Sequence, residues 1–425
     1  MRFSHFMILP FIFWLGCDSA AKPSADILGD GDADADVLNN QNNINNQNNV
    51  NNIQLPEDLR LQELERFVIA GDAGHLAFPD VAPLSDGRWL LVYRQGSTHV
   101  DSTGRILKQV GTADGRTWSE PEVLVDVAGM DDRDPSITRL SDGRLMVTWF
   151  QYRGQGFGPD TVYLHETFRV FSEDDGETWS EPAQITPGTM HLEVGAGLNG
   201  DGRWVDADGD LVIVHASSSP LVEHAGQWIL PNYGGNALNL NNIAACLRAE
   251  ISLFVSDDQG TNWEERPVLP GAVPSVWLQE PSLLILPSGR WLLHVRTAYG
   301  TTPSTPGDLA QTVSGDGGLT WDAWRPFDFV GHAPDLFRTS HGVVLSAFRE
   351  INNEFTQEWV SMMYSVDEGD TWSVPLRISD CGAVECGYPS FAQLDDTHLL
   401  VVFYGPGGTT IEGVIYEALP VYGAK

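Results

Sequence analysis

The sequence predicts an all-β protein in which residues 57–425 form a six-bladed β-propeller. A 16-residue pattern that begins with Pro recurs along the chain, and an eight-residue turn alternates with it. The 43 Gly and 25 Pro residues supply many turns, and an apolar content of 42% supplies a large core. Alternating repeats of this size are typical of small sheets arranged in a ring.

Each copy of the 16-residue pattern is predicted to be a β-hairpin. An apolar strand leads into an Asp-Gly type turn, and a second strand rich in Val, Leu and aromatic residues follows. The five clear copies begin at Pro79, Pro135, Pro281, Pro334 and Pro389. A degenerate sixth copy begins at Asp206, between the second and the third clear copies. Six hairpins predict six repeated units.

The second pattern is a box turn of the form Ser-x-Asp-x-Gly-x-Thr-Trp. Its Asp accepts backbone hydrogen bonds, its Gly takes a conformation that other residues avoid, and its Trp packs between neighbouring sheets. Four full copies occupy residues 172–179, 256–263, 314–321 and 365–372, and a copy one residue short occupies 112–118. Each unit therefore has a hairpin followed by two strands that the box turn joins.

The ring is predicted to close by strand exchange. The last unit supplies three strands and ends near residues 414–419, while residues 64–70, ahead of the first hairpin, supply its outer strand. Such closure leaves no exposed sheet edge. The hairpin turns and box turns then share one face of the ring. The residue before each repeat Pro and the sixteenth residue of each pattern, which is expected to pair with that Pro, lie on the opposite, near face.

The N-terminus resembles the signal of an exported bacterial lipoprotein. Arg2 precedes an apolar run from Phe6 to Leu15, which is too short to span a bilayer. The ending Leu15-Gly16-Cys17 resembles a lipobox, which implies cleavage after residue 16 and lipidation of Cys17. Ordinary secretory cleavage is the alternative. The expected location is the cell envelope or the extracellular space.

Composition limits the partners. Residues 18–56 alternate Asp with small residues and then form an Asn/Gln tract, so they are predicted to be a disordered linker. The formal net charge of −34 excludes nucleic acid and anionic membrane as partners, apart from membrane contact through the lipid anchor. An anionic substrate would need arginines gathered locally. We expect a monomer.

Three cysteines follow the signal segment. In an oxidising compartment Cys381 and Cys386 could close a short loop, which leaves Cys246 unpaired. Metal binding is the weaker interpretation, because no His or Cys stands beside them at ligand spacing. No metal and no cofactor are expected.

The near face gathers charged residues in a strongly acidic protein. The residues before the five clear repeat prolines are Phe78, Asp134, Glu280, Ala333 and Tyr388. The sixteenth residues are Arg94, Phe150, Arg296, Arg349 and Tyr404. An Arg at a strand end is usually solvated or ion-paired, but closing the ring does not require this set. The convergence therefore indicates a site for an anionic ligand.

These motifs resemble the sialidase family, whose propellers carry the box turn as the Asp-box. The segment QEPSLLILPSGRWLLHVR is similar to the family segment that holds the catalytic Glu and the second arginine, here Glu280 and Arg296. The segment GYPSFAQLDDTHLLVVFY is similar to the segment of the Tyr nucleophile, here Tyr388. Arg349 matches the third arginine by its order in the chain.

The chain departs from the family pattern in its first repeat. The family has Phe-Arg-Ile-Pro there, whereas this chain has Leu76-Ala77-Phe78-Pro79, so the first arginine is missing. Either Arg94, across the hairpin, or Arg133, in the second repeat, is expected to replace it.

The general acid of the family lies in the loop after the second strand, here QGSTHVDSTG. Asp101 has the expected spacing and His99 competes with it, while Asp134 is a third candidate with an orienting role. His332 is predicted either to contact substrate or to be a satisfied strand-end histidine.

The resemblance implies a retaining exo-glycosidase that removes terminal sialic acid or a related acidic sugar without a metal. Glu280 would act as the general base toward Tyr388, and arginines would bind the carboxylate of the sugar. A propeller that binds glycans without cleaving them is the alternative, because the first arginine is altered. A protein-interaction scaffold is the third possibility and requires a blocked near face.

Overall fold

The computed structural model describes residues 56–71, 74–154, 163–185, 197–198, 204–205, 213–236, 250–268, 276–299 and 306–423. Within these ranges the chain forms β-strands and one 3-10 turn, Pro406–Gly408, and no α-helix. The all-β prediction is therefore confirmed. No helix in these ranges has the length and apolar character to cross a membrane. The predicted signal segment, nearly all of the linker, Cys17 and Cys246 lie outside the described residues.

The strands are numbered in chain order. The first nine are β1 (Asp58–Gly71), β2 (His75–Pro83), β3 (Trp89–Gly96), β4 (Arg105–Gly111), β5 (Glu122–Val125), β6 (Asp131–Arg139), β7 (Leu145–Gly154), β8 (Tyr163–Ser172) and β9 (Ala183–Gln184). The next nine are β10 (Gly197–Leu198), β11 (Trp204–Val205), β12 (Ile213–Ala216), β13 (Val222–His224), β14 (Gln227–Asn236), β15 (Glu250–Ser256), β16 (Glu264–Val268), β17 (Val276–Ile285) and β18 (Trp291–Tyr299). The last eight are β19 (Pro306–Ser314), β20 (Arg325–Arg338), β21 (Val344–Ile351), β22 (Glu358–Ser365), β23 (Leu376–Gly382), β24 (Gly387–Gln393), β25 (His398–Tyr404) and β26 (Thr410–Val421).

The strands pair as antiparallel sheets in chain order. One sheet contains β2 to β5 and another contains β6 to β9. Strands β17 to β23 form a seven-stranded sheet because β20 is shared: its first part pairs with β19 and its later part with β21. A small sheet of β10 and β11 stands apart from these. The five clear hairpins of the sequence are all present.

The N-terminal strand pairs with the C-terminal strand. Strand β1 runs antiparallel to β26, from Asp58 opposite Val421 to Gly71 opposite Thr410, and completes the sheet of β24, β25 and β26. Residues from the two ends of the chain therefore share one sheet. The pairing is longer at both ends than the seven residues expected from the sequence.

The third hairpin differs from the prediction. The copy expected at Asp206 lies partly outside the described residues, and its described part, β12, pairs with β14. Strand β13 also pairs with β14, across a turn at Ala225 and Gly226. The two short strands together replace a single first strand, so the repeat Pro of this unit is Pro220. The sequence does mark this hairpin, because its segment Gly226-Gln-Trp-Ile-Leu matches Gly-Arg-Trp-Leu-Leu in two of the clear hairpins.

The box turns have the hydrogen bonds that their sequence predicts. Ser172 Oγ accepts a bond from Gly176 N at 2.8 Å, and Asp174 Oδ1 accepts one from Thr178 N at 2.8 Å. Trp179 Nε1 donates to Gly176 O at 3.0 Å. Equivalent Ser and Asp bonds occur in the turns 256–263, 314–321 and 365–372.

Neighbouring sheets pack face to face through apolar side chains. Leu90 and Val92 of β3 share one core cluster with Val147 and Trp149 of β7, and all four are fully buried. Burying each such side chain contributes about 1.5–3 kcal/mol. This packing keeps consecutive hairpins side by side, with their repeat prolines together.

Polar side chains link consecutive hairpins beside the repeat prolines. Asp80, which follows the first of them, accepts a bond from Ile137 N at 2.7 Å and one from Ser390 Oγ at 2.6 Å. Two further bonds of this kind run from Leu336 N to Ser282 Oγ (2.9 Å) and from Phe391 N to Asp335 Oδ2 (3.2 Å). Buried polar groups that are paired in this way fix the mutual position of the hairpins.

Candidate active site

A β-bulge accompanies the repeat Pro in each of the five clear hairpins, because Pro lacks the N–H that the ladder needs. The residue before Pro has a positive φ: Phe78 (58°), Asp134 (50°), Glu280 (51°), Ala333 (48°) and Tyr388 (48°). Such residues are strained, and this strain is concentrated at functional sites. The bulge also corrects the predicted register. The sixteenth residue pairs with the residue two before Pro, as Arg94 does with Ala77, and not with Pro itself.

The bulges surround a small cavity of about 30 Å³. It is lined by residues 78–80, 134–136, 218–220, 280, 333–335 and 388–390. Six Pro-containing segments are thus brought together, including the one at Pro220 that the sequence analysis missed. Glu280 and Tyr388, two of the residues with a positive φ, are part of this lining.

Glu280 and Tyr388 form the centre of the site. Tyr388 Oη donates a hydrogen bond to Glu280 Oε1 at 2.6 Å. Arg296 Nη1 donates to the same oxygen at 2.8 Å, and the other oxygen accepts a bond from Ala333 N at 2.8 Å. The carboxylate is therefore fixed on both sides while it contacts the phenol. The structure thus brings Glu280 and Tyr388 into contact, and it adds a bond between Glu280 and Arg296 that the sequence did not predict.

The electrostatics favour a neutral phenol beside an ionised carboxylate. Burial first, and then the Glu280 carboxylate, raise the pKa of Tyr388 well above its ordinary value. Burial acts to raise the pKa of Glu280 as well, but Arg296 and the bond from Tyr388 hold it below its ordinary value. The Glu280 carboxylate is therefore placed to accept the proton of the Tyr388 phenol.

Arg349 lies on the other side of Tyr388. Its guanidinium carbon is 5.9 Å from the ring centroid of Tyr388 and 5.8 Å from that of Tyr404. Arg349 Nε donates to Cys386 O at 2.5 Å, and Nη2 donates to Tyr404 Oη. Arg296 and Arg349 thus both lie beside the Glu280–Tyr388 pair, and their binding of a substrate carboxylate stays a prediction.

Arg133 approaches the pair from the second hairpin. Its guanidinium carbon lies 5.0 Å from the ring centroid of Phe78, and the ring of Phe78 lies 4.5 Å from that of Tyr388. Arg133 Nε is 3.3 Å from Asp134 Oδ1. Burial raises the pKa of Asp134 to about 6, although Arg133 opposes the change. Phe78 occupies the position of the Ile in the family motif Phe-Arg-Ile-Pro. Arg133 packs against the ring of Phe78.

Arg94, on β3, lies in the sheet of β2 to β5 and is fully buried. Its Nε donates to Asp131 Oδ1 at 2.6 Å, and Nη1 donates to Thr98 O at 2.9 Å. This burial contradicts the prediction that Arg94 replaces the missing arginine. The side chain instead holds the loop after β3 against β6.

Asp101 caps that same loop. Its carboxylate accepts bonds from the backbone N–H groups of Ser97 (2.8 Å), Thr98 (2.6 Å) and Thr103 (2.6 Å). Partial burial acts to raise its pKa, but these bonds hold the pKa well below its ordinary value. The carboxylate therefore has no proton to donate, and the predicted acid role of Asp101 does not fit its surroundings.

His99 lies at the tip of that loop and is 38% exposed along its side chain. Its Nδ1 lies 2.7 Å from Glu385 Oε2, and its Nε2 lies 3.4 Å from Arg133 Nη2. Glu385 Oε1 is 2.7 Å from His75 Nε2. The sequence analysis missed Glu385 and His75. The only signal was the position of Glu385, three residues before Tyr388 and inside the short loop between two cysteines.

A disulfide between Cys381 and Cys386 closes that loop, which was one of the sequence alternatives. The loop presents two groups to the site, the Glu385 carboxylate and the Cys386 carbonyl that binds Arg349. Burial acts to raise the pKa of Glu385, but the two histidines and Arg349 hold it well below its ordinary value.

His75, His99 and Glu385 are also a possible metal-binding group. Their ligand atoms all lie within 4.8 Å of one another, and two His with one Glu are a known ligand set for zinc. However, the N–H groups of Arg133 can only donate, so His99 Nε2 must accept and the proton of the neutral ring is on Nδ1. A metal bound through Nδ1 would therefore have to displace this proton.

His332 is buried between two arginines. Burial first, and then Arg296 and Arg349, lower its pKa well below the ordinary value, so the ring is neutral. Neither ring nitrogen has a hydrogen-bond partner among the described residues. The interpretation as a satisfied strand-end histidine is therefore not supported there, and substrate contact stays a prediction.

The family is identified by a sequence model. A family described as a BNR repeat-like domain matches residues 87–401, which is more than half of the chain. No curated protein matches the chain. The matched region contains all five box turns and three of the five clear hairpins in full, and parts of the first and the last hairpin.

Solved structures with the same fold are distant in sequence. A protein of unknown function from Dyadobacter fermentans is 22% identical, with a TM-score of 0.67, over 84% of this chain and 99% of its own. Hadza microbial sialidase Hz136 is 16% identical, with a TM-score of 0.59, over 84% and 68%. The α-L-arabinanase of Penicillium chrysogenum, complexed with arabinobiose, is 14% identical, with a TM-score of 0.58, over 84% and 98%. The family match shows that the chain belongs to the BNR repeat-like family, and these solved structures share its fold.

Proposed function

We propose that the protein is a retaining exo-glycosidase that removes terminal sialic acid or a related acidic sugar from glycans. One observation carries the proposal: Tyr388 Oη lies 2.6 Å from Glu280 Oε1, in strained backbone on both sides. A binding protein has no need of a phenol joined to a buried base. A neutral nucleophile also suits a sugar whose reacting carbon bears a carboxylate, because an anionic one would be repelled.

The charged residues support an acidic sugar. Arg296 and Arg349 flank Tyr388, and Arg133 lies beside Phe78, so three cations stand around the nucleophile of a protein with a net charge of −34. Arginine binds carboxylates in a planar, bidentate manner. Arg133 takes the place of the missing family arginine, and His332 contacts a hydroxyl of the sugar.

The proposal includes a six-bladed ring. Six Pro-containing segments line one cavity, and β1 pairs with β26, which supports closure by exchange of the N-terminal strand. The protein is exported, is anchored through a lipid on Cys17, and acts as a monomer on glycans outside the cytoplasm. Its substrate is neither nucleic acid nor membrane.

A glycan-binding protein without activity is the second candidate. This candidate is favoured because Ala77 stands where the family has its first arginine. Ala77 is fully buried and carries no charge. In that case the arginines would bind an acidic sugar and the Glu280–Tyr388 pair would be a remnant.

Turnover of a fluorogenic aryl sialoside by the wild type, Tyr388→Phe and Tyr404→Phe separates the two candidates. We expect hydrolysis by the wild type, its loss by at least about 10²-fold in Tyr388→Phe, and retained hydrolysis in Tyr404→Phe. Sialic acid binding without hydrolysis in any of the three would establish the binding protein. Equal activity in all three would show that Tyr388 is not the nucleophile.

A further inference from the structure

His99 lies beside the cavity lining, one aromatic ring away from Tyr388. Its ring centroid lies 5.6 Å from that of Phe78, which in turn lies 4.5 Å from Tyr388. Its side chain is 38% exposed, whereas Asp101, two residues later, is turned into its own loop. The loop after β3 therefore presents an imidazole, and not a carboxylate, toward the site.

Its neighbours decide which nitrogen faces outward. Glu385 Oε2 lies 2.7 Å from Nδ1, and the donor-only guanidinium of Arg133 lies 3.4 Å from Nε2. The proton of the neutral ring is thus on Nδ1, toward the carboxylate. Burial first, and then Arg133, lower the pKa of the ring below its ordinary value, while Glu385 opposes this change, so the charged form depends on Glu385. A second proton can be added only at Nε2, on the side of Arg133 and Phe78. A carboxylate that holds one nitrogen of a His while the other transfers protons is an established catalytic arrangement.

We propose that His99 Nε2 is the proton donor to the leaving-group oxygen, and that Glu385 is the positioning residue that fixes the ring and stabilises its charged form. This inference rests on the proposed function. Protonation of Nε2 ends its contact with the guanidinium of Arg133. The imidazolium is then free to face the leaving oxygen. Arg133 Nη2 is free to bind the carboxylate of the sugar, while its Nε and Nη1 stay beside Asp134 and Asp131.

The proposed steps conserve protons. Tyr388 Oη attacks the anomeric carbon and passes its proton to Glu280, while the glycosidic C–O bond breaks and the leaving oxygen takes the proton of His99 Nε2. Water then attacks the anomeric carbon and gives a proton to Nε2. The bond to Tyr388 breaks, and the phenolate takes its proton back from Glu280. The sum is a glycoside and water converted into a free sugar and an alcohol.

The test compares two substrates of the same sugar with different leaving groups. An aryl sialoside needs little protonation when its leaving group departs, whereas sialyllactose releases an alkoxide that needs a proton. We expect His99→Asn to lower kcat/KM for sialyllactose by about 10²–10⁴-fold and for the aryl sialoside far less. Asp101→Asn, from the same loop, is the matched control and should lower both by the same factor.

Glu385→Gln tests positioning through the pH profile. The groups that face His99 are Glu385, His75 on β2, Arg133 on β6 and Arg349 on β21. Glu385 is the anion among them, so its neutralisation makes the charged ring less stable. The alkaline limb of the pH profile of kcat/KM should then move to lower pH. Glu385→Asp should bring it part of the way back to the wild-type position. A purely structural role would lower activity at every pH without moving that limb.

The outcomes separate the two proposals. Hydrolysis of both substrates by the wild type, with an unchanged substrate ratio in His99→Asn, would overturn the role of His99 and leave the glycosidase intact. An unmoved alkaline limb in Glu385→Gln would overturn the role of Glu385. No hydrolysis of either substrate by the wild type would overturn the proposed function, and this inference with it. Thermal unfolding of each variant shows whether it is folded.

Discussion

Ser390 Oγ donates a 2.6 Å hydrogen bond to Asp80 Oδ1, across 310 positions of the sequence. The same aspartate accepts a bond from Ile137 N through its other oxygen. Asp80 therefore joins the last hairpin to the first and the first to the second. The carboxyl group is buried, so its protonation is coupled to folding.

Asp80 should make the protein less stable as the pH rises from about 4 to about 6. Burial raises its pKa to about 6 in the folded state, whereas an unfolded Asp titrates near 4. The folded state thus holds a proton that the unfolded state has lost, and raising the pH favours unfolding by up to about 3 kcal/mol. Urea unfolding at several pH values measures the slope. Asp80→Asn should flatten it and the exposed Asp322→Asn should not; equal slopes in all three would contradict the assignment.

Arg94 should contribute to stability and not to substrate binding. Replacing it with Met leaves Asp131 buried without its main partner, which costs about 3–5 kcal/mol. The KM for an aryl sialoside, measured below the unfolding temperature, should stay near that of the wild type. Arg88→Met, on an exposed hairpin turn, is the control. A large rise in KM at unchanged stability would instead place Arg94 on the substrate.

The box turns should be purely structural. Ser256 Oγ is buried and accepts a bond from Gly260 N at 2.8 Å, so Ser256→Ala leaves that N–H without its partner and costs about 1–3 kcal/mol. Trp228 is opposite Ser256 in the sheet, which places the box turn beside the hairpin turn and away from the bulges. Urea unfolding should show the loss, with Ser288→Ala as the exposed comparison. A fall in kcat/KM under folded conditions would contradict this separation.

Chelation should leave hydrolysis unchanged. A metal held by His99 Nδ1, His75 and Glu385 would have to displace the proton that the contact with Arg133 assigns to Nδ1. Dialysis against EDTA followed by an aryl sialoside assay measures this directly. Added Zn²⁺ should inhibit, because it competes for the same three side chains. If EDTA abolished activity and Zn²⁺ restored it, a resident metal would have to replace the hydrogen-bonded arrangement.

The repeats and the central pair could be read from the sequence because their signals are local. Asp-Gly turns, box turns and the segments around Glu280 and Tyr388 each carry their own pattern of residue types. The bulge was missed, although Pro inside a strand of a paired hairpin is itself its signal. Assuming an unbroken ladder gave the wrong partner for the sixteenth residues.

Other features depend on contacts between distant segments. Nothing in the sequence near His99 indicates that Glu385, 286 positions later, lies 2.7 Å away. Likewise, the burial of Arg94 follows from Asp131 in the next sheet, so its resemblance to a surface arginine at a strand end was misleading. The Pro220 hairpin was missed because its first strand is broken into two short pieces.

The loop closed by Cys381 and Cys386 carries both Glu385 and the carbonyl that binds Arg349. Two of the groups around the nucleophile are thus held by a bond that forms only where thiols are oxidised. We expect chains retained in the cytoplasm to fold their sheets and yet lack an ordered proton donor and a fixed third arginine. Under the proposed export, the site would become ordered when the chain enters an oxidising compartment.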